Sequence, residues 1–163
     1  MIRLATKDDS LEIVKIYNYY ISNTIITFEE NVIQTDEMTE RITSVLNSGL
    51  PWLVAEQNGR IIGYAYATKW AERSAYKSSV ESTVYLDRSL TSKGWGFILY
   101  KELLKSLRDK KFHVAIGGIS LPNIESVGLH EKLGFEKVAH FKEVGYKFSK
   151  WIDVGYWQVK LND

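Results

Sequence analysis

The sequence predicts an α/β fold in which one mixed sheet is flanked by helices. Three observations carry this. Segments with strand-like alternation and segments with helical spacing follow one another in the order β, α, α, β, β, β, α, β, α, β, β. The pair Asn58-Gly59, set between two apolar runs, marks a tight hairpin inside that order. No stretch repeats, and no linker, charge block or low-complexity segment divides the chain, so residues 1–163 read as a single domain.

Residues 1–5 are short, apolar and β-like. Thr6 stands three residues ahead of Asp9 and before an apolar run, a helix-start signal with Asp in the usual Glu position. Leu11, Val14, Tyr17 and Ile21 recur at helical spacing and define a first helix to about residue 22. Residues 23–35 show no period and read as a long loop, of a kind that carries function in compact domains. Residues 36–48 are a second helix, ended by Gly49 and Pro51. Residues 52–57 and 60–70 are the arms of the Asn58-Gly59 hairpin. A polar break over 71–77 leads to an alternating strand at 79–86. After a loop, Leu99, Leu103, Leu104 and Leu107 form the apolar face of a helix over 97–108. Val114, Ile116 and Ile119 mark a strand at 113–120. Pro122-Asn123 opens a helix to Leu133, closed by Gly134, and two last strands cover about 136–143 and 152–160.

Composition narrows the function classes. Hydrophobic residues at 45% and charged residues at 25% describe a chain able to build one core. Lys plus Arg number 21 against 20 Asp plus Glu, a net charge of +1, which argues against a nucleic-acid partner. The absence of Cys excludes disulfides, thiolate metal sites and a Cys nucleophile, and three His do not suggest a metal cluster, so no metal is expected. The apolar stretch 61–67 is too short to span a membrane, so no membrane partner is expected. The chain reaches Lys7-Asp8-Asp9 before the apolar core of a secretion signal could form, and a cytoplasmic location is expected. Aromatics reach 13% and cluster late, at Phe135, Phe141, Tyr146, Phe148, Trp151, Tyr156 and Trp157. This cluster reads first as packing material for the core and second as the wall of a pocket.

The segment from Tyr85 to Leu99 runs strand, loop, glycine turn, helix, with Gly94-x-Gly96 at the turn. Glycines allow close backbone approach, and the following helix offers free N–H groups and a partial positive charge, which together make a pyrophosphate cradle. A tight loop without a ligand has the same spacing. The turn lacks the Gly-Lys-Ser/Thr ending of a P-loop and the third glycine of a dinucleotide fingerprint.

Thr91-Ser92-Lys93-Gly94-Trp95-Gly96 is similar to the Arg/Gln-x-x-Gly-x-Gly/Ala signature of the GCN5-related N-acetyltransferase family, with Thr91 where the family has Arg or Gln. Asn123, Ser126, His130, Gly134 and Phe135 are spaced as in that family's Asn-x-x-Ala/Ser-x-x-x-Tyr-x-x-x-Gly-Phe element, with His130 in the Tyr position. Within the family the chain resembles the phosphinothricin and methionine sulfoximine/sulfone acetyltransferases. Glu81-Ser82-Thr83-Val84-Tyr85, Leu121-Pro122-Asn123, Thr27-Phe28, Pro51-Trp52-Leu53-Val54-Ala55-Glu56 and the run from Trp151 to Gln158 carry that resemblance. It implies a mainly antiparallel central sheet, the acyl-CoA N-acyltransferase fold. It also implies acetyl-CoA as cosubstrate, a small amino acid whose α-amino group is acetylated, and a homodimer.

The same resemblance implies site residues. Val84, Tyr85 and Leu86 would offer backbone groups to the pantetheine arm. Ser92, Lys93, Gly94, Trp95, Gly96 and Phe97 would hold the phosphates, and Asn123 and Ser126 would contact the CoA arm. Spacing alone makes Glu81 a solvent-facing carboxylate on an alternating strand; the resemblance makes it the base that deprotonates the incoming amine. His130 stands where relatives carry a proton donor for the leaving thiolate, and imidazole can donate there or assist deprotonation. Arg73, and after it Lys147, are candidate cations for the substrate carboxylate, with Phe28, Tyr76 and Trp151 as pocket walls. Without Cys, direct transfer in a ternary complex is the expected mechanism. Two other readings stand beside it: an acetyltransferase for another amine or a protein N-terminus, and a non-catalytic acetyl-CoA-binding regulatory module.

Overall fold

The structure is a computed structural model that describes residues 1–91 and 93–162. The described residues form one seven-stranded sheet and four α-helices. The strands are β1 (Ile2–Leu4), β2 (Trp52–Gln57), β3 (Arg60–Lys69), β4 (Ser79–Leu86), β5 (Val114–Leu121), β6 (Glu136–Lys147) and β7 (Lys150–Lys160). The helices are α1 (Ser10–Asn23), α2 (Thr35–Asn47), α3 (Trp95–Asp109) and α4 (Ile124–Lys132). The strands lie in the order β1-β2-β3-β4-β5-β7-β6, and every pairing is antiparallel except β4 with β5. The mixed, mainly antiparallel sheet is therefore as the sequence implied.

The parallel pairing is short. Ser79, Val80 and Glu81 lie opposite Val114, Ala115 and Ile116, and the ladder stops there. Beyond Glu81, β4 follows β3 as far as the Gly63–Leu86 pair, while β5 follows β7 to the Leu121–Asp153 pair. Two strands held by different neighbours part at Ser82 and Gly117, and a fork opens in the middle of the sheet. Its two edges carry backbone groups that no strand satisfies, which in a folded protein calls for another hydrogen-bonding partner.

Strand alternation decides what faces each side of the fork. Tyr85 packs against Tyr17 and Tyr20 of α1, with ring centroids 5.2 Å apart in both pairs. Glu81 and Thr83 share that face. Ser82 points the other way, and its hydroxyl lies 2.6 Å from that of Tyr100 on α3. So α1 and α2 cover one face, and α3 and α4 the other. The α3 anchor is the leucine set predicted from spacing: Leu99, Leu103, Leu104 and Leu107 are all buried, each contributing about 1.5–3 kcal/mol relative to exposure.

Local signals were realised in chemical detail. The Asp9 carboxylate accepts the Thr6 N–H at 2.8 Å and is gripped by two Arg3 N–H groups at 2.8 and 2.9 Å. Asn58 and Gly59 both take positive φ, the geometry of a two-residue hairpin turn. The boundary between β6 and β7 differs most. β6 continues to Lys147, and its turn into β7 is made by Phe148 and Ser149, at φ 51° and 60°. These residue types do not announce such a turn. The late aromatics also divide: Phe135 and Trp157 are buried, but Phe141, Tyr146, Phe148 and Trp151 are exposed on β6, β7 and their turn. Their reading as core is corrected, because β6 is an edge strand and no described residue covers these side chains.

Candidate active site

A cleft of about 390 Å³ runs from the fork toward the start of α3. Val84, Tyr85, Leu86, Gly94, Gly96, Phe97, Asn123 and Ser126 all line it. Gly94 is the N-cap of α3, at φ 86° in the left-handed region, where a side chain is strained. The first α-helical bond of α3 runs from Ile98 N–H to Gly94 O, leaving the amides ahead of it without helical partners at the positive pole of a 15-residue helix. A Cβ on Gly96 would lie 3.4 Å from Leu86 and 3.5 Å from Leu129, already in contact. Branching beyond it would fill the cleft. These features fit a diphosphate carried on an extended arm.

Two expected phosphate contacts differ. Lys93 is exposed and Trp95 packs on the core; neither side chain lines the cleft. Ser92 lies outside the described residues. A cation is supplied instead by Lys132, whose ammonium sits 4.7 Å from the Phe97 ring centroid at the cleft wall. Sequence reasoning missed it, although Ser126, Leu129 and Lys132 recur at spacings of three along one helix face. Asn123 serves both proposed ends: it lines the cleft, and its side-chain oxygen caps α4 by accepting Ser126 N–H at 3.1 Å.

Glu81 is the last paired residue of β4 before the fork, half-buried on the α1/α2 face. Among the described residues its carboxylate has no hydrogen-bonding or charged partner, and burial alone pushes its pKa above the usual carboxylate range. A carboxylate that is costly to ionise and lacks a counter-charge is a ready proton acceptor.

His130 is placed differently from the expectation. It is only 4% exposed and does not line the cleft. Its Nδ1 lies 2.7 Å from the Ser126 carbonyl, an oxygen that can only accept, so Nδ1 carries the hydrogen. Nε2 then accepts from the Tyr100 hydroxyl at 3.0 Å, which in turn meets Ser82. Burial lowers the imidazole pKa and holds the ring neutral. In this arrangement His130 is a proton acceptor toward Tyr100, and any exchange with the fork passes through Tyr100 and Ser82. Gly117 makes the arrangement possible, since a Cβ there would overlap His130 Nε2.

The acceptor-side candidates are also redistributed. Lys147 is 2% exposed, and its ammonium donates to the Thr27 carbonyl at 2.8 Å, so it is committed to the protein and is corrected as a substrate cation. Phe28 packs against Gly145, where a Cβ would overlap its ring. Trp151 is 66% exposed beside Tyr146 on the outer hairpin, away from both the cleft and the fork lining. Arg73 and Tyr76 are exposed in the β3–β4 connection, around the single helical turn Ser74–Tyr76 that leads into β4.

The chain matches the family model described as an acetyltransferase (GNAT) domain over residues 2–155. It is 40% identical over 157 residues to a phosphinothricin N-acetyltransferase of Streptomyces viridochromogenes, covering 96% of this chain and 85% of that one. It is 33% identical to an L-methionine sulfoximine/L-methionine sulfone acetyltransferase of Salmonella typhimurium, covering 99% and 95%. Its fold superposes with a TM-score of 0.96 on the crystal structure of a GNAT superfamily phosphinothricin acetyltransferase from Sinorhizobium meliloti in complex with AcCoA. That relative is 33% identical, with 99% of this chain and 88% of that one covered. With a full-length fold match, a glycine turn heading α3 and a fork between β4 and β5, the chain belongs to the GNAT family of acetyltransferases.

Proposed function

We propose that the protein transfers the acetyl group of acetyl-CoA to the α-amino group of a small amino acid, of the phosphinothricin, methionine sulfoximine and methionine sulfone class, directly within a ternary complex. The observation that carries this reading is the half-buried carboxylate of Glu81 at the mouth of the fork, without a partner among the described residues. The unpaired edge of β4 suits the amides of a pantetheine arm, the α3 N-terminus and Lys132 suit the phosphates, and the opposite face is left for the acceptor. Relatives with these acceptors in their names are 33–40% identical over nearly the whole chain.

Glu81 takes a proton from the substrate ammonium, freeing the lone pair. The amine nitrogen bonds to the thioester carbon, a backbone amide near Tyr85 stabilises the oxyanion, and the carbon–sulfur bond breaks to release the thiolate. The thiolate is reprotonated from solvent, because neutral His130 carries no hydrogen on Nε2 to pass along Tyr100 and Ser82. No metal is invoked. Arg73 receives the substrate carboxylate through its planar fork.

Thiol release measured across amino acids, amines and peptides tests the reading. Methionine sulfone should outrun its amide by about ten- to a hundredfold in kcat/KM, the worth of one charge-assisted bond. Arg73→Ala should erase most of that preference. Equal rates on the acid and its amide would sink the carboxylate clamp, and preference for a peptide or a polyamine would replace the acceptor.

The reading includes a homodimer. Phe141, Tyr146, Phe148 and Trp151, with Val138 and Val144, are exposed apolar side chains on the β6–β7 hairpin, with Phe141 opposite Val154 on one face and Tyr146 opposite Trp151 on the other, and apolar side chains of this kind are what second copies cover. Light scattering at micromolar concentration should report twice the chain mass, falling to one on Trp151→Glu with Phe141→Glu; a monomeric wild type ends this part of the proposal.

A further inference from the structure

A second cavity, of about 420 Å³, opens between α2 and strands β2 and β3, within the usual range of about 300–1,000 Å³ for small-molecule sites. Tyr66 and Thr68 form part of its lining, and Glu37, Glu40, Arg41 and Ser44 stand along α2 on its other side. Register ties it to the fork. Thr68 lies directly opposite Glu81, and Tyr66 directly opposite Thr83. Directly opposed residues share a face with Cβ atoms about 4.5–5.5 Å apart. The cavity thus begins one side chain away from the proposed base, on the acceptor face. An amino acid whose α-nitrogen meets Glu81 has its side chain within reach of this space.

The lining charges restrict what fits. Arg41 is the cation there, and it is already spent. It donates to Glu29 at 2.7 and 2.9 Å and to Glu37 at 3.2 Å. Glu40 adds a further, exposed carboxylate to the lining. The cavity is walled by aromatic rings and hydroxyls with an excess of negative charge at its edge. An anionic side chain entering it meets carboxylates and no available cation, whereas an uncharged polar side chain meets Thr68 and the rings.

Resting on the small-amino-acid reading above, we infer that this cavity receives the acceptor's side chain and selects uncharged polar side chains over anionic ones. Methionine sulfone and methionine sulfoximine are then better acceptors than phosphinothricin, whose phosphinate is anionic. The cavity, and not the Arg73 loop, sets this preference.

The test is steady-state thiol release with methionine sulfone and with phosphinothricin, on wild type, Ser44→Trp and Glu40→Lys. Both variants change exposed α2 positions, and circular dichroism with the KM for acetyl-CoA reports that each is folded. Wild type should favour the sulfone by about tenfold in kcat/KM. Ser44→Trp should raise the sulfone KM about tenfold by filling the cavity, with the acetyl-CoA KM unchanged. Glu40→Lys should lower the KM for phosphinothricin alone, by about threefold, the scale of one exposed charge pair. Normal sulfone kinetics in Ser44→Trp, or an equal response of both acceptors to Glu40→Lys, overturns the inference while leaving the acetyltransferase reading in place. Thiol release with neither amino acid in wild type overturns both.

Discussion

Lys147 and Thr27, 120 residues apart in sequence, are joined by a buried hydrogen bond from the lysine ammonium to the threonine carbonyl at 2.8 Å. Thr27 is a hub. Its hydroxyl lies 2.8 Å from that of Tyr17 and accepts Glu29 N–H at 3.3 Å, while Glu29 is held by Arg41 and Tyr17. Phe28, next to it, rests on Gly145 of β6. The long loop between α1 and α2 is strapped to both helices and to β6. This matters for function because the loop borders the acceptor face. Burial lowers the lysine pKa, and the nearby Glu30 and Glu29 partly offset this.

Lys147→Met should loosen the strap from outside the cleft lining. The acceptor KM should rise about three- to tenfold and by more than the acetyl-CoA KM, since among the described loop residues it is Ile26 that lines the cleft. Hydrogen exchange over residues 24–34 should speed up in parallel, and Lys147→Arg should recover part of the effect. Unaltered acceptor KM and unaltered exchange would show that the strap has no bearing on the acceptor.

Glu81→Gln should lower kcat by about 10²–10⁴, the range for one lost general base, and leave acetyl-CoA affinity as it is. The same change should stabilise the fold at neutral pH. A carboxyl whose folded pKa is raised contributes stability while protonated and loses it as pH rises through that pKa, so an ionised Glu81 is a burden at pH 7. Melting temperatures compared at pH 7 and at pH 4 should show a gain for the variant at the first and little at the second. The wild-type rate should also fall on the acid side at a pH above the ordinary carboxylate range. Full turnover in the variant would remove Glu81 from the chemistry.

Gly94→Val and Gly96→Val should each raise the acetyl-CoA KM, for different reasons. At Gly94 nothing lies within 4 Å of an added Cβ, so the damage comes from the positive φ, at about 1–3 kcal/mol of strain. At Gly96 the Cβ already touches Leu86 and Leu129, and the branch projects into the cleft wall. Calorimetry on the folded variants reads CoA binding directly; normal affinity in both would dismiss the phosphate cradle.

Tyr100→Phe should destabilise by about 1–3 kcal/mol, because it leaves His130 Nε2 and the Ser82 hydroxyl unpartnered in the interior. The sign of the pH effect follows from the lowered histidine pKa. A base depressed on folding contributes stability above its unfolded value and loses it as pH falls through the folded one. Wild-type melting temperature should drop from pH 8 toward pH 5, and His130→Gln should flatten part of that slope. An identical slope in the variant would mean that His130 is not among the groups titrating on acid unfolding.

Much of this molecule was legible before folding. Helical spacing in Leu99, Leu103, Leu104 and Leu107, alternation in β4 and the Asn58-Gly59 pair each report a local preference that the packed structure keeps. The cleft residues were legible for a related reason: Val84, Tyr85, Leu86 and Gly94 line it, and their backbone position follows once strand, turn and helix are placed.

What the sequence did not determine depends on groups far apart in the chain. Nothing local turns Lys147 inward; the Thr27 carbonyl does so, across 120 residues. His130 carries the same letter whether it faces a cleft or a core, and Gly117, Tyr100 and the Ser126 carbonyl choose the core. Phe148 and Ser149 have no preference for positive φ, yet pairing of Lys147 with Lys150 leaves a two-residue turn, for which two positive φ values are a favoured geometry. The fork has no motif at all. It exists because β4 is held by β3 and β5 by β7, so the two strands part where their neighbours draw them, and a carboxylate that alternation assigns to solvent becomes half-buried with its pKa raised.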